Sequence, residues 1–195
     1  MASGPALEAV ILAAGSGHRF GGGKLTATWG TRPLLEGALS VAFVAPVRSV
    51  TVVTGADANS VSAAVRAFDP RALIVHAPDY AEGMAASLRA GVASLPADAV
   101  GVFAFLGDMP RVPVAILPVM ARALADGAPA VAPTFGGRRG NPVLFDRTLF
   151  PQLLALTGDI GARGVLQGLG ERLVLIESPD DGVLFDVDEP GDLLR

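Results

Sequence analysis

Short apolar runs that alternate with amphipathic stretches constrain the fold of this chain more than any other feature. The runs are continuous, which is typical of strands that are covered on both faces. They predict strands over Ala9–Ala13, Val50–Thr54, Leu73–His76, Val100–Leu106, Ala130–Ala132 and Leu173–Ile176. The stretches between them predict helices over Leu34–Ala45, Asp57–Phe68, Met84–Leu95, Pro113–Ala125 and Asp159–Leu169. This order predicts an α/β, three-layer, Rossmann-like fold, in which a mostly parallel sheet carries helices on both faces.

The length and rhythm of the chain predict one domain spanning residues 1–195. A chain of 195 residues is long enough for one substantial buried core, and it contains no long repeat and no low-complexity linker. The alternation loosens between Phe135 and Phe150, where a stretch rich in glycine and arginine precedes the apolar run Val143–Phe145. We interpret this stretch as an insertion that builds a second wall of a substrate site.

The charge and the cysteine content argue against several classes of function. With 15 basic and 19 acidic residues the net charge is -4, so we expect no electrostatic binding to nucleic acid or to an anionic membrane. The absence of cysteine excludes disulfides, thiolate-bound metals and a thiol nucleophile. The first residues carry no basic segment, and the apolar run Ala9–Ala14 is too short for a signal peptide or a membrane span. We therefore expect a cytoplasmic protein.

A glycine-rich segment follows the first predicted strand. Five of the nine residues from Gly15 to Gly23 are glycine, which lets backbone N–H groups approach and surround an anion. Arg19 and Lys24 add positive charge to the same segment, and Lys24 is the only lysine of the chain. The segment therefore predicts a phosphate-binding loop, and a flexible turn after a buried strand is the structural alternative.

Two common nucleotide motifs do not match this loop. His18 and Leu25 stand where a Walker A motif ending at Lys24 needs a glycine and a hydroxyl residue. Phe20 stands where a dinucleotide fingerprint needs a small residue. The spacing of the loop therefore supports neither a P-loop nor an NAD-binding interpretation.

Three aspartates lie at the ends of predicted strands. Asp108 follows the apolar run Val102–Leu106 after one glycine, and Asp186 and Asp188 form a D-x-D pair at the end of a short predicted strand. Ligands of open α/β sheets bind outside the carboxyl ends of the strands, so Asp108 is expected to face the glycine-rich loop. Residues two apart in a strand share a face, and such carboxylates could hold Mg²⁺ beside phosphates. A turn aspartate and a helix N-cap are the structural alternatives.

Together these residues resemble the MobA-like nucleotidyltransferases, and most closely their molybdenum cofactor cytidylyltransferase branch. The matching blocks follow the order of the family along nearly the whole chain: Leu12–Lys24, Pro33–Leu35, Val52–Gly55, Ala86–Gly91, Gly107–Pro110, Gly140–Phe145, Gly158–Arg163 and Asp186–Pro190. The resemblance implies a glycosyltransferase-A-like sheet, with the glycine-rich loop around the triphosphate of a nucleotide.

The resemblance implies a reaction as well. CMP would move from CTP to the terminal phosphate of molybdenum-loaded molybdopterin, with Mg²⁺ as the metal and pyrophosphate as the second product. Ala14 favours CTP, because the guanylyl branch of the family tends to have glycine there. A molybdoenzyme or its maturation chaperone is the candidate protein partner. Three alternatives stay open: GTP as the nucleotide, another phosphorylated acceptor such as a sugar phosphate, and a carrier that hands on molybdopterin without turnover.

The resemblance also assigns residues to roles. Arg19, Lys24 and Asp108 would be catalytic, and Asp108, Asp188 and Asp186 would bind the metal. The N-terminal part would bind the nucleotide through Leu12, Ala13, Ala14, Gly15, Ser16, Gly17, Arg19, Lys24, Thr54, Gly55 and Ser87. Region 135–170 would form the acceptor side through Arg138, Arg139, Asn141 and Arg163. The competing interpretation of these arginines is an ordinary charged surface, and Asn141 replaces a histidine that many relatives have.

Overall fold

The computed structural model describes residues 6–194, so Met1–Pro5 and Arg195, which belong to the predicted domain, lie outside the described residues. The strands are β1 (Leu7–Ala13), β2 (Thr28–Trp29), β3 (Arg32–Pro33), β4 (Val50–Thr54), β5 (Leu73–His76), β6 (Gly101–Leu106), β7 (Ala130–Phe135), β8 (Arg138–Arg139), β9 (Val143–Asp146) and β10 (Leu173–Glu177). The α-helices are α1 (Leu35–Val44), α2 (Ala58–Phe68), α3 (Met84–Ala93), α4 (Ile116–Ala125), α5 (Phe150–Leu154) and α6 (Arg163–Leu169). No helix within residues 6–194 is long and apolar enough to cross a membrane.

The central sheet has the strand order β10-β7-β9-β6-β1-β4-β5, with β8 added beside β7. β1 pairs in parallel with β4 on one side and with β6 on the other. β9 lies antiparallel between β6 and β7. Alternate residues of β1 point into two separate apolar cores: Ala9 and Ile11 pack with α1, α2 and α4, whereas Val10 packs with α3, α5 and α6. The predicted three-layer, mostly parallel α/β fold is therefore confirmed.

Two helices begin later than predicted. The helix expected from Pro113 begins at Ile116, because the residues between them form a turn whose carbonyl at Pro113 accepts from the amide of Ile116. The helix expected from Asp159 begins at Arg163, since Gly161 has a φ of 53° and interrupts the right-handed conformation. Asp159 does not cap that helix; its Oδ1 accepts instead from the amide of Met84, the first residue of α3.

Two further expectations fail in the second half of the chain. The loosened stretch from Phe135 to Phe150 is no separate insertion, because β9 fills a central place in the sheet and β7 and β8 form a hairpin beside it. The strand expected to end in the D-x-D pair is absent from the described residues around Asp186 and Asp188. This segment pairs with a loop instead of a strand: the amide of Val187 donates to the carbonyl of Asp108 at 3.1 Å.

Candidate active site

The glycine-rich loop leaves the end of β1 in a conformation that needs glycine. Gly17 has a φ of 59°, and its carbonyl accepts from the amides of Phe20, Gly21 and Gly22. The amide of Gly23 donates to Oδ2 of Asp57 at 3.2 Å, which fixes the far end of the loop. The later glycines therefore shape the loop with internal hydrogen bonds and do not form one continuous anion cradle.

The free amides of the loop lie at its beginning. Within residues 6–194, the backbone N–H groups of Gly15, Ser16 and Gly17 make no hydrogen bond to the protein. Buried or ligand-facing amides need an acceptor, and three consecutive free amides can supply hydrogen bonds to phosphate oxygens. The start of the loop therefore offers amides that an anion could bind, whereas the amides of Phe20 to Gly23 already donate within the protein.

Four of the predicted catalytic and metal-binding side chains meet beyond this loop. Nζ of Lys24 lies 2.6 Å from Oδ2 of Asp108 and 3.7 Å from Oδ1 of Asp188. Nη1 of Arg19 lies 2.6 Å from Oδ2 of Asp188. The Lys24 side chain is 14% exposed and that of Arg19 is 75% exposed, so the two cations differ in how strongly water screens them. In the structure both cations neutralise carboxylates.

Asp186 completes a group of three carboxylates. Desolvation and the negative charges of Asp188 and Asp108 raise the pKa of Asp186, although this residue keeps contact with solvent. The main cause is loss of hydration, and the two neighbouring carboxylates add repulsion. A bound cation would offset both effects.

The donor set of these carboxylates fits a divalent cation. No three acidic, histidine or cysteine side chains within residues 6–194 form a ready-made metal-binding group. Asp108 and Asp188 nevertheless share one cation, the Lys24 ammonium, so their oxygens already converge on a common positive charge. Mg²⁺ prefers oxygen and is usually bound by one or two carboxylates together with phosphates and water. The pair suits a metal that a nucleotide helps to hold.

We expect Asp186→Asn to stabilise the protein in the absence of metal. Because the pKa of Asp186 is raised on folding, its ionised form opposes folding at pH 7 and protonation at lower pH removes that opposition. The melting temperature of the variant should rise by about 1–3 °C at pH 7, and the gain should shrink toward acidic pH. Scanning fluorimetry without Mn²⁺ measures this gain. With Mn²⁺ added, we expect the melting temperature of the variant to rise by less than that of the wild type. If the variant melts at the wild-type temperature and Mn²⁺ raises its melting temperature as much as that of the wild type, Asp186 does not belong to the metal site.

A cleft of about 890 Å³ collects most of the predicted nucleotide-binding residues. Its lining includes Leu12, Ala14, Gly15, Ser16, Gly17, Arg19, Lys24, Ser87, Asp108, Asp186 and Asp188. Ala13 and Thr54 lie behind the cleft, where both are buried in the sheet. Gly55 also lies behind it and lets the chain pass close to the loop, since a Cβ there would come within 2.5 Å of the Ala14 carbonyl oxygen.

Several residues of the cleft were not predicted. They are His18, Tyr80, Ala81, Glu82, Gly83, Met84, Leu106 and Asp159. Asp159 reaches the cleft from the loop before α6, so no local pattern around the nucleotide motifs could identify it. The glycine at position 83, directly before the predicted helix Met84–Leu95, is a local signal that could have identified Glu82 and its neighbours.

A second cavity of about 520 Å³ adjoins the cleft and contains all four predicted acceptor residues. Arg138, Arg139, Asn141 and Arg163 line it together with Gly140 and ten apolar residues, of which Leu12, Met84 and Leu106 also line the cleft. No carboxylate lines this cavity, and none of its three arginines has an ion pair within residues 6–194. Its positive charge is therefore uncompensated, in contrast to that of the cleft.

Three curated proteins resemble the chain over nearly its full length. The molybdenum cofactor cytidylyltransferase of Escherichia coli K12 is 27% identical over 97% of this chain and 94% of its own. The nicotine blue oxidoreductase of Paenarthrobacter nicotinovorans is 29% identical over 98% of this chain and 96% of its own. The purine catabolism protein PucB of Bacillus subtilis 168 is 33% identical over 95% of this chain and 93% of its own.

Solved structures agree with the fold. Rv0371c of Mycobacterium tuberculosis H37Rv superimposes with a TM-score of 0.85 and 28% identity, covering 98% of this chain and 97% of that one. A complex of that protein with manganese gives a TM-score of 0.74 and 26% identity over 90% of this chain and 89% of that one. The family model of the MobA-like NTP transferase domain matches residues 9–173. The chain therefore belongs to the MobA-like NTP transferase family and is a nucleotidyltransferase by family.

Proposed function

We propose that this nucleotidyltransferase moves CMP from CTP to the terminal phosphate of molybdenum-loaded molybdopterin and releases pyrophosphate. The observation that carries the proposal is the adjacency of two unlike cavities. One holds cations, carboxylates and free amides, and the other is apolar with three unpaired arginines. Similarity to the Escherichia coli enzyme named molybdenum cofactor cytidylyltransferase supports the choice of substrates.

The cleft would hold the triphosphate. The amides of Gly15, Ser16 and Gly17 would donate to phosphate oxygens, while Arg19 and Lys24 would turn from their carboxylates to the nucleotide. The chain carries a net charge of -4, so this local positive field has to overcome the repulsion of the protein as a whole.

The carboxylates would hold the metal. Asp108 and Asp188 would be its main protein ligands, with Asp186 beside them. When bound, Mg²⁺ would neutralise phosphate charge and make the α-phosphorus a better electrophile. The manganese complex of Rv0371c is consistent with a divalent metal in this fold.

No protein nucleophile is needed for this transfer. A phosphate oxygen of the acceptor, already anionic at pH 7, would attack the α-phosphorus of CTP while the bond to the β-phosphate bridging oxygen breaks. The electron pair of that bond leaves with pyrophosphate. The protein would hold the two phosphates in line and reduce the repulsion between them, which are the tasks of positioning and electrostatic stabilisation.

The second cavity would bind the acceptor. Ten apolar lining residues suit a flat heterocycle, whereas a sugar phosphate would need more hydrogen-bonding groups. Arg138, Arg139 and Arg163 would bind anionic groups of the acceptor, and Asn141 would offer an amide. In this proposal one domain holds both substrates, with region 135–170 as the acceptor side. The product would pass in the cytoplasm to a molybdoenzyme or its chaperone.

Product analysis tests the proposal. The protein is incubated with Mg²⁺ and molybdenum-loaded molybdopterin and with ATP, CTP, GTP or UTP separately, and pyrophosphate and the dinucleotide product are measured. We expect release with CTP, and none with Asp108→Asn, a variant of nearly equal size that lacks a metal-binding charge. Release of pyrophosphate with GTP alone would show that GTP, and not CTP, is the nucleotide substrate. Binding of CTP without release would favour another acceptor or a carrier.

A further inference from the structure

One segment of the chain contacts a loop that lines the cleft and a loop that lines the arginine-rich cavity. Residues 180–188, which we call the strap, carry Asp186 and Asp188 and pass between the loop after β6 and the loop before β9. Val183 and Val187 of the strap are fully buried, so its backbone is anchored in the apolar core. The two carboxylates are therefore placed by a segment with fixed neighbours on both sides.

The strap lies in close contact with the loop that carries Asp108. A Cβ on Gly182 would come within 2.1 Å of the carbonyl oxygen of Arg111, so only glycine allows this approach. The amide of Val187 donates to the carbonyl of Asp108 at 3.1 Å. These contacts join backbone to backbone, which fixes the distance between Asp108 and the neighbours of Val187.

The opposite side of the strap contacts the acceptor loop in the same way. A Cβ on Gly140 would lie 2.2 Å from the carbonyl oxygen of Val183, and the amide of Asn141 donates to that oxygen at 2.9 Å. Gly140 and Asn141 both line the arginine-rich cavity. One short segment thus contacts both the acceptor loop and the loop that carries Asp108.

A side chain clamps the strap as well. The guanidinium of Arg111 lies 4.7 Å from the centre of the Phe185 ring, and its Nη2 lies 3.6 Å from Oδ1 of Asp181. Phe185 directly precedes Asp186. Arg111 lines neither cavity, so we expect it to act on the carboxylates through the strap and not through substrates bound in the cavities.

We propose that the strap couples the two subsites, with Arg111 and Gly140 as positioning residues that set Asp186 and Asp188 for the metal. The inference rests on the proposed function for the metal, but the strap itself is a property of the fold. Supporting groups of this kind commonly change metal affinity by about 10–100-fold when they are removed. A change in the acceptor loop should therefore weaken metal binding without touching a ligand.

The test compares Gly140→Ala with Arg163→Ala in the full chain. Both change the arginine-rich cavity, but only Gly140 contacts the strap. Hydrogen exchange at the amide of Val187 reports the strap, and calorimetric titration with Mn²⁺ reports the metal site. For Gly140→Ala we expect faster exchange at Val187 and an affinity for Mn²⁺ that is lower by about 10-fold, and for Arg163→Ala neither change.

A second variant keeps the test decisive if Gly140→Ala does not fold. Arg111→Ala removes an exposed side chain and should give the same two changes at about 3–10-fold lower Mn²⁺ affinity, whereas Arg111→Lys keeps a cation over Phe185 and should restore most of it. Arg122→Ala, an exposed arginine on α4, is the matched control. Unchanged hydrogen exchange at the amide of Val187 in Arg111→Ala would overturn the proposal that Arg111 positions the strap. Wild-type protein that binds no Mn²⁺ even in the presence of a non-hydrolysable CTP analogue would overturn the proposed function, whereas hydrogen exchange at Val187 would still test the contacts of the strap.

Discussion

Replacing Lys24 with methionine should lower turnover by about 10²–10³-fold and should also tighten the binding of Mn²⁺ in the absence of nucleotide. The first effect is expected of any cation that stabilises phosphate charge. The second is specific to this structure, because the Lys24 ammonium lies within 4 Å of both Asp108 and Asp188. Methionine fills much of the same space without a charge, so both carboxylates become free for a metal.

This expectation follows from an exchange of partners. A metal that binds alone must displace Lys24 from Asp108 and leave the ammonium, only 14% exposed, without its partner. A triphosphate that binds alone must approach three carboxylates. When both bind, the metal takes the carboxylates and the phosphates take Lys24 and Arg19. Metal and nucleotide should therefore strengthen each other's binding, and this coupling is reciprocal.

Calorimetry measures the coupling directly. Mn²⁺ is titrated into wild-type protein and Lys24→Met, each with and without a non-hydrolysable CTP analogue. We expect the analogue to raise the affinity of the wild type for Mn²⁺ by about 10-fold or more, and to have a smaller effect in the variant. Arg66→Met removes the same charge from the exposed face of α2 and should behave like the wild type. If Lys24→Met binds Mn²⁺ more weakly than the wild type in the absence of the analogue, Lys24 does not compete with the metal for Asp108 and Asp188.

Much of this site could be predicted because its residues follow strongly marked elements. Asp108 follows the apolar strand β6 and Lys24 follows the glycine-rich loop, so both had to lie at the carboxyl edge of a parallel sheet. The pairing of Lys24 with Asp108 could not be predicted, because a loop cation and a loop carboxylate 84 residues apart meet only through the strand order. The sequence predicted that both would face the nucleotide.

The acceptor side shows where local patterns end. Residues around Val143 form an apolar run of strand type, but nothing in the run indicates that β9 enters the sheet antiparallel between β6 and β7. The strap has no regular pattern either, because its conformation is set by the close contacts of Gly140 and Gly182. Long-range packing decides both features, and periodicity reports only local structure.

The amino-terminal ends of the central strands carry a charged network that no sequence pattern indicated. Glu8, on β1, is 1% exposed, and its carboxylate accepts from Nε and Nη2 of Arg48 and from the hydroxyl of Ser49. Arg48 also donates to the carboxylate of Asp98, and its hydrogen bonds to Asp98 and Glu8 raise the pKa of Arg48. The network joins the starts of β1, β4 and β6, far from the carboxyl ends that carry the site.

Arg48→Met should lower the melting temperature by about 10 °C, because it leaves the buried charge of Glu8 without its main partner. The loss comes from an uncompensated buried charge, so removing that charge as well should reverse it. The double variant with Glu8→Met and Arg48→Met is expected to melt within about 3 °C of the wild type, since an apolar pair can replace a buried ion pair. Differential scanning calorimetry of the two single variants and the double variant gives the coupling between the residues.

Asp98→Asn separates this explanation from a general loss of surface charge. Asp98 pairs with the same arginine, but its side chain is 70% exposed, and exposed pairs contribute little. We therefore expect a loss of less than about 3 °C for this variant. A loss as large as that of Arg48→Met, or a double variant no more stable than Arg48→Met, would mean that Arg48 stabilises the sheet by joining three strands and not by neutralising Glu8. Turnover well below the melting temperature should stay unchanged in all these variants, because the network lies at the edge of the sheet that the substrates do not reach.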